Sequence, residues 1–227
     1  MDRLIVSLMI INFAIHSYSN TFFFLAPYLS TQGYSTASAG VLVSVFYAAT
    51  TAVRPVGSWI TERFGIRGSM IASSLLCLAC AAVLHIYQGS FSFFVGLRIV
   101  MGIGFSVFMV ALTTYQALAV EEAKRGLAFA LVAIGSIVPM FTIVPLTDFL
   151  IRNNLGRIYL LLPVAASALA LMLAIRLNTK QTTGFEETSS TMKWGSYRDL
   201  FRETPAWRML CSCFFFGLCD SSIVFLG

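Results

Sequence analysis

Apolar residues fall in seven long blocks along this chain, at about 4–29, 37–60, 68–87, 91–119, 126–150, 158–177 and 208–226, with short polar segments between them. A helix rising ~1.5 Å per residue needs roughly 20 residues to cross about 30 Å of hydrocarbon. Each block has about that length. Lipid offers no partner for backbone N–H and C=O groups, so runs of this kind must close their hydrogen bonds internally as helices. The first block runs past Pro27 with no small-residue cleavage pattern after a short core, so it reads as a retained span. The pattern predicts an all-α polytopic membrane protein.

Composition supports that reading. Hydrophobic residues make up 58% of the 227 and charged residues only 11%, whereas soluble domains carry about a quarter charged. A water-soluble enzyme, a disordered chain and a secreted disulfide scaffold are all excluded. The five cysteines are odd in number and sit in apolar runs, which argues against a disulfide framework. Cys77 and Cys80 share a helix face but have no further ligands nearby, so they read as small packing residues. No phosphate-cradling Gly-Lys-Ser loop, HExxH or Cys/His cluster occurs, and no enzyme activity, metal or cofactor is expected.

Charge sets the orientation. With the N-terminus in the cytoplasm, the inner segments hold Arg3, Arg63, Arg67, Lys124, Arg125, Arg176, Lys180, Lys193, Arg198, Arg202 and Arg208, which is eleven of the fifteen basic residues. Only Arg152 and Arg157 lie outside, and Arg54 and Arg98 fall within or at the edge of spans. Cytoplasmic loops carry such an excess. Basic residues spread along an inner face suit lipid headgroups, not nucleic acid. A multi-pass protein of a plasma (inner) membrane is expected. The organisation reads as a six-helix bundle over 1–177, a polar cytoplasmic loop over 178–206 and a seventh helix over 207–227. Within the loop, Tyr197, Leu200 and Phe201 suit a short amphipathic helix on the membrane surface.

Two motifs carry a resemblance. After the second span the chain reads Arg54-Pro55-Val56-Gly57-Ser58-Trp59-Ile60-Thr61-Glu62-Arg63-Phe64-Gly65-Ile66-Arg67. The fourth span reads Arg98-Ile99-Val100-Met101-Gly102-Ile103-Gly104, and Arg125-Gly126 opens the fifth. In order and placement this resembles the major facilitator superfamily, with its Arg-Pro, glycine and acid-Arg-x-Gly-x-Arg turn between spans 2 and 3 and its Arg-x-x-x-Gly-x-Gly in span 4. Gly135 and Pro139, then Pro145, are loosely similar to the Gly-rich, Pro-containing motif of drug/proton antiporters, without its paired glycines. Glu62 stands where the family usually has Asp, and Gly57 comes one place early. The resemblance implies two inverted three-helix repeats, with residues 207–227 opening a second half of a usually twelve-span fold.

The resemblance also implies roles. Arg54, Gly57, Glu62, Arg63, Gly65 and Arg67 are expected to form a conformational latch in a turn at the inner surface; the alternative for the charges is topology alone. Gly57, Gly102, Gly104, Gly135 and Pro139 suit close helix packing. Arg98 lies about eight residues into span 4. A charge at that depth is costly and rarely faces lipid, so it is expected to serve the substrate or proton pathway, to bond backbone carbonyls as a structural arginine, or to snorkel to the outer surface. On span 1, Asn12, His16, Ser19 and Asn20 share a helix face, and histidine is the side chain able to change charge near neutral pH. Asn12, His16 and Asn20 are assigned to the pathway, with a helix interface as the alternative. Tyr115 and Gln116 are assigned either to substrate or to interhelical bonds. Asp220, inside span 7, is a further pathway candidate. Asp148 is expected to pair with Arg152 at i+4.

The function this predicts is secondary active transport of a small solute by alternating access, with protons as coupling ion and efflux as first direction. Uptake and a non-transporting half-bundle that scaffolds or regulates are the alternatives. The expected partners are a small-molecule substrate, protons, membrane lipid, and a missing second half or another copy of the chain.

Overall fold

The computed structural model describes residues 3–87 and 90–177. The expected loop over 178–206, the seventh helix over 207–227 and Asp220 lie outside the described residues.

Among the described residues, seven α-helices make six spans. These are α1 (Arg3–Asn20) and α2 (Leu25–Thr31), joined by a 3-10 turn at Thr21–Phe24, then α3 (Thr36–Phe64), α4 (Ile66–Ile86), α5 (Phe91–Ala119), α6 (Arg125–Arg152) and α7 (Gly156–Arg176). Among the described residues no strand forms. The first span is therefore not one uninterrupted helix. Pro27 has no N–H to give the carbonyl of Phe23, and its ring crowds that carbonyl. The chain tightens at Thr21–Phe24, just before it. Ser17 and Thr21 also turn their hydroxyls onto the carbonyls of Phe13 and Ser17, at 2.7 and 2.8 Å.

The second span, expected over about 37–60, runs a few residues further at its end. Pro55 lies inside α3, which continues to Phe64. Proline's fixed φ is helical, and membrane helices tolerate its lost hydrogen bond. The break comes at Gly65, whose φ of 74° and ψ of 156° are accessible almost only to glycine. A single residue thus separates α3 from α4. At the other end of α3, Ser35 caps the helix by accepting from the Ser38 N–H at 3.2 Å.

Packing follows the two-repeat expectation. α3 packs chiefly on α5, and α6 chiefly on α1; α4 lies on α5, α7 lies on α1, and α4 and α7 pack together. Interchanging the first three spans with the last three leaves this pattern unchanged. Each repeat has an odd number of spans, so the second enters the membrane from the opposite side and the repeats are inverted. Small residues set the close contacts. A Cβ on Gly102 would lie 2.5 Å from the carbonyl oxygen of Phe46, and one on Gly135 would lie 2.5 Å from that of Met9. A Cβ on Gly104 would meet Cys77 Sγ at 2.9 Å, and one on Gly57 would meet Val110 at 3.3 Å. Pro139 is buried inside α6.

Candidate functional site: a caged arginine and a half-buried histidine

Arg98 is one of the largest fully enclosed side chains, only 2% exposed. α5 carries it into the bundle opposite α3 and the 3-10 turn of span 1. Its Nε donates to the carbonyl of Leu42 at 3.1 Å. Its Cζ lies 4.4 Å over the ring of Phe22 and 4.4 Å over the ring of Phe46. Placing an arginine at mid-helix in a membrane costs about 2.5–3.5 kcal/mol on insertion scales. A desolvated cation–π contact contributes about 2 kcal/mol. Two such rings and a carbonyl are thus of the right size to hold the charge without an acid. Among the described residues no salt bridge reaches Arg98; the two ion pairs there are Lys124–Glu121 and Arg152–Asp148. The second, at 2.9 Å, is the expected i+4 pair.

The cage is not fully satisfied. Nη1 of Arg98 and the hydroxyl of Tyr159 are buried without hydrogen-bond partners. Tyr18, Tyr47 and Tyr159 all lie close enough to act electrostatically on Arg98. A cavity of about 40 Å³ adjoins the guanidinium, lined by Tyr28, Gln32, Leu42, Phe94, Arg98 and Leu160 among others.

Aromatic rings connect Arg98 to His16. Phe46 packs on Phe105 at 5.6 Å between centroids, and Phe105 meets the His16 ring edge-on at 5.9 Å. His16 is half-buried. Its Nδ1 lies 3.0 Å from the carbonyl of Asn12. A carbonyl only accepts, so Nδ1 carries the proton of the neutral ring. The lone pair is then on Nε2.

The other pathway candidates separate. Asn12 is buried and donates its amide to the carbonyl of Val132 at 2.8 Å, joining α1 to α6. Ser106 does the same between α5 and α3, donating to Thr50 O at 2.7 Å. Asn20 is half-buried beside the 3-10 turn. Tyr115 and Gln116 are buried inside the bundle, and the Gln116 amide nitrogen has no hydrogen-bond partner.

The six expected latch residues also divide. Glu62 and Arg63 stand on the last turn of α3, where Arg63 Cζ lies 5.3 Å over Trp59. Arg67 donates to the carbonyl of Ile175 at 2.6 Å and so ties α4 to the last turn of α7, where exposed carbonyls favour a cation. Gly57 faces α5. Arg54 is exposed on the side of α3, ten residues and therefore ~15 Å from the helix end. It does not belong to the inner-surface cluster.

Sequence reasoning singled out Arg98 and His16 but missed Phe22, Phe46, Tyr18 and Tyr159. Tyr18 and Phe22 are spaced i, i+4 and could have been paired. Phe46 and Tyr159 lie on other spans and carry no local signal.

Residues 8–227 match the family model of the Major Facilitator Superfamily. None of the curated proteins matches the chain. The match spans nearly the whole chain, and among the described residues six helical spans are long and apolar enough to cross a membrane. The caged arginine, the Gly102 and Gly104 contacts and the Gly65 break all fall within the motifs that first suggested the family. The chain belongs to the Major Facilitator Superfamily and is a multi-pass membrane transporter.

Proposed function

We propose that the protein moves a small solute outward by alternating access, driven by inward proton flow. The observation that carries the coupling is the tautomer of His16. Nδ1–H is held by Asn12 O, so Nε2 is the proton acceptor of a half-buried ring that stands edge-on to Phe105. The Arg98 charge lies beyond Phe46 and Phe105. It keeps its positive sign throughout the cycle and acts on whatever protonates or binds along that face. Arg54, exposed at depth on α3, faces a water-accessible path or a second half of the carrier, because a bare cation does not rest against acyl chains. Glu62 and Arg63, at the end of α3, serve the inner latch. Tyr115, Gln116 and Asn20 contribute to the solute path.

The basic residues at the α3–α4 junction, the α5–α6 junction and the end of α7 support a cytoplasmic N-terminus in a plasma (inner) membrane.

The test is proton-driven flux in proteoliposomes with an imposed pH gradient. Wild type is expected to move protons in the direction opposite to the solute. His16→Gln is expected to retain downhill exchange and lose its dependence on the gradient. Undiminished gradient-driven accumulation in that variant would remove His16 from coupling.

A further inference from the structure

We propose that the cavity beside Arg98 is a binding site for a small monovalent anion inside the six-helix bundle.

Four observations converge. First, Arg98 is buried, and among the described residues it has no carboxylate partner. Second, the guanidinium lies between Phe22 and Phe46, with Cζ over both rings. Its faces are occupied, so a further partner must come in the plane of the group, along its N–H bonds. Third, Nε is already used on Leu42 O, whereas buried Nη1 has no partner. Fourth, the guanidinium lines a cavity of about 40 Å³, and a single water needs roughly 10–15 Å³ on that measure. The space admits a halide or the head of a carboxylate.

The walls fit an anion. Leu42, Phe94 and Leu160 give a low-dielectric surround, while Tyr28 and Gln32 bring donors to the outer end of α2. The Tyr28 ring lies 5.1 Å from that of Tyr159, whose hydroxyl is itself unpartnered. Arginine presents planar donors, and an anion in that plane receives charge-assisted hydrogen bonds. A water alone would satisfy Nη1 but leave the positive charge uncompensated in an apolar bundle.

Two sources share this chemistry: a free inorganic anion, and the carboxylate head of a larger organic acid entering between Tyr28 and Gln32. The probes are bromide, formate, propionate and benzoate. Each is titrated at constant ionic strength against gluconate into the purified full-length chain in detergent, with thermal unfolding followed by intrinsic fluorescence. Bromide and formate are expected to raise Tm saturably in the wild type and to have no effect in Arg98→Met. Stabilisation that stops at formate assigns the site to a free small anion. Stabilisation that persists through benzoate assigns it to the head of an organic acid. A Tm unchanged by bromide and formate, or an equal rise in Arg98→Met, overturns the proposal. If Arg98→Met does not fold, bromide-containing crystals of the unaltered protein decide. An anomalous peak beside Nη1 supports the site, and its absence at saturating bromide overturns it. None of these readouts involves flux, so failure here leaves the proton-coupled reading standing, and the reverse also holds.

Discussion

The backbone of Phe46 presses on Gly102 while its ring covers Arg98. A Cβ at residue 102 would stand 2.5 Å from Phe46 O and 3.0 Å from Ala49 Cβ, and the Phe46 ring lies 4.4 Å from the guanidinium carbon. One helix crossing therefore sets both the approach of α3 to α5 and the aromatic cover over a buried charge. Gly102→Ala is expected to destabilise the protein by about 1–3 kcal/mol, the usual cost of overpacking, and to reduce flux. Gly96 has open space around its Cβ position, so Gly96→Ala is expected to leave Tm near wild type. Thermal unfolding of the two variants in detergent compares them directly.

Phe46→Ala removes one of the two rings over Arg98. Its effect should be largest while the charge is present. A double-mutant cycle with Arg98→Met is expected to give a coupling of about 1–2 kcal/mol. Strict additivity would mean the ring merely fills space.

Asn12 and His16 lie one helical turn apart and are expected to fail differently. Asn12→Ala breaks the bond to Val132 O and leaves a gap between α1 and α6. Stability should fall by about 1 kcal/mol, with the shape of the pH–flux profile retained. His16→Gln should flatten that profile while Tm changes little. A flattened profile in Asn12→Ala alone would reassign the titrating role.

Gly65 holds φ 74° with ψ 156°. Asparagine tolerates the left-handed helical region but not this one. Gly65→Ala and Gly65→Asn are both expected to lose about 1–3 kcal/mol and to disturb the α3–α4 junction. Asn154, at φ 59°, lies in the left-handed region, and Asn154→Gly should be neutral. Expression and Tm of the three variants provide the check.

Arg54→Cys is expected to react with a water-soluble maleimide in membranes, because the side chain is exposed at depth on α3. Failure to label in any transport state would place residue 54 against protein or lipid instead of a water path.

Much of the architecture was legible before any coordinates. Span number follows from block length, glycine packing from the small residues within the spans, and the inverted repeats from what the family resemblance implies. Local rules also foretold the Asp148–Arg152 pair, because i and i+4 meet on any helix. The second block already contained Pro55, and α3 carries it through to Phe64, so the break falls at Gly65 inside the expected charged turn.

Block by block, the chain alone determined that it lives in lipid, how many times the described part crosses, and that a charge at position 98 is costly against acyl chains. Apolar length and the cost of a bare cation in hydrocarbon suffice for that. Only the tertiary structure decided what encloses it. Leu42 is 56 residues from Arg98, and Val132 is 120 residues from Asn12. Such pairs are selected by how closely glycine-lined helices approach, and no periodicity within a single span encodes the face of another.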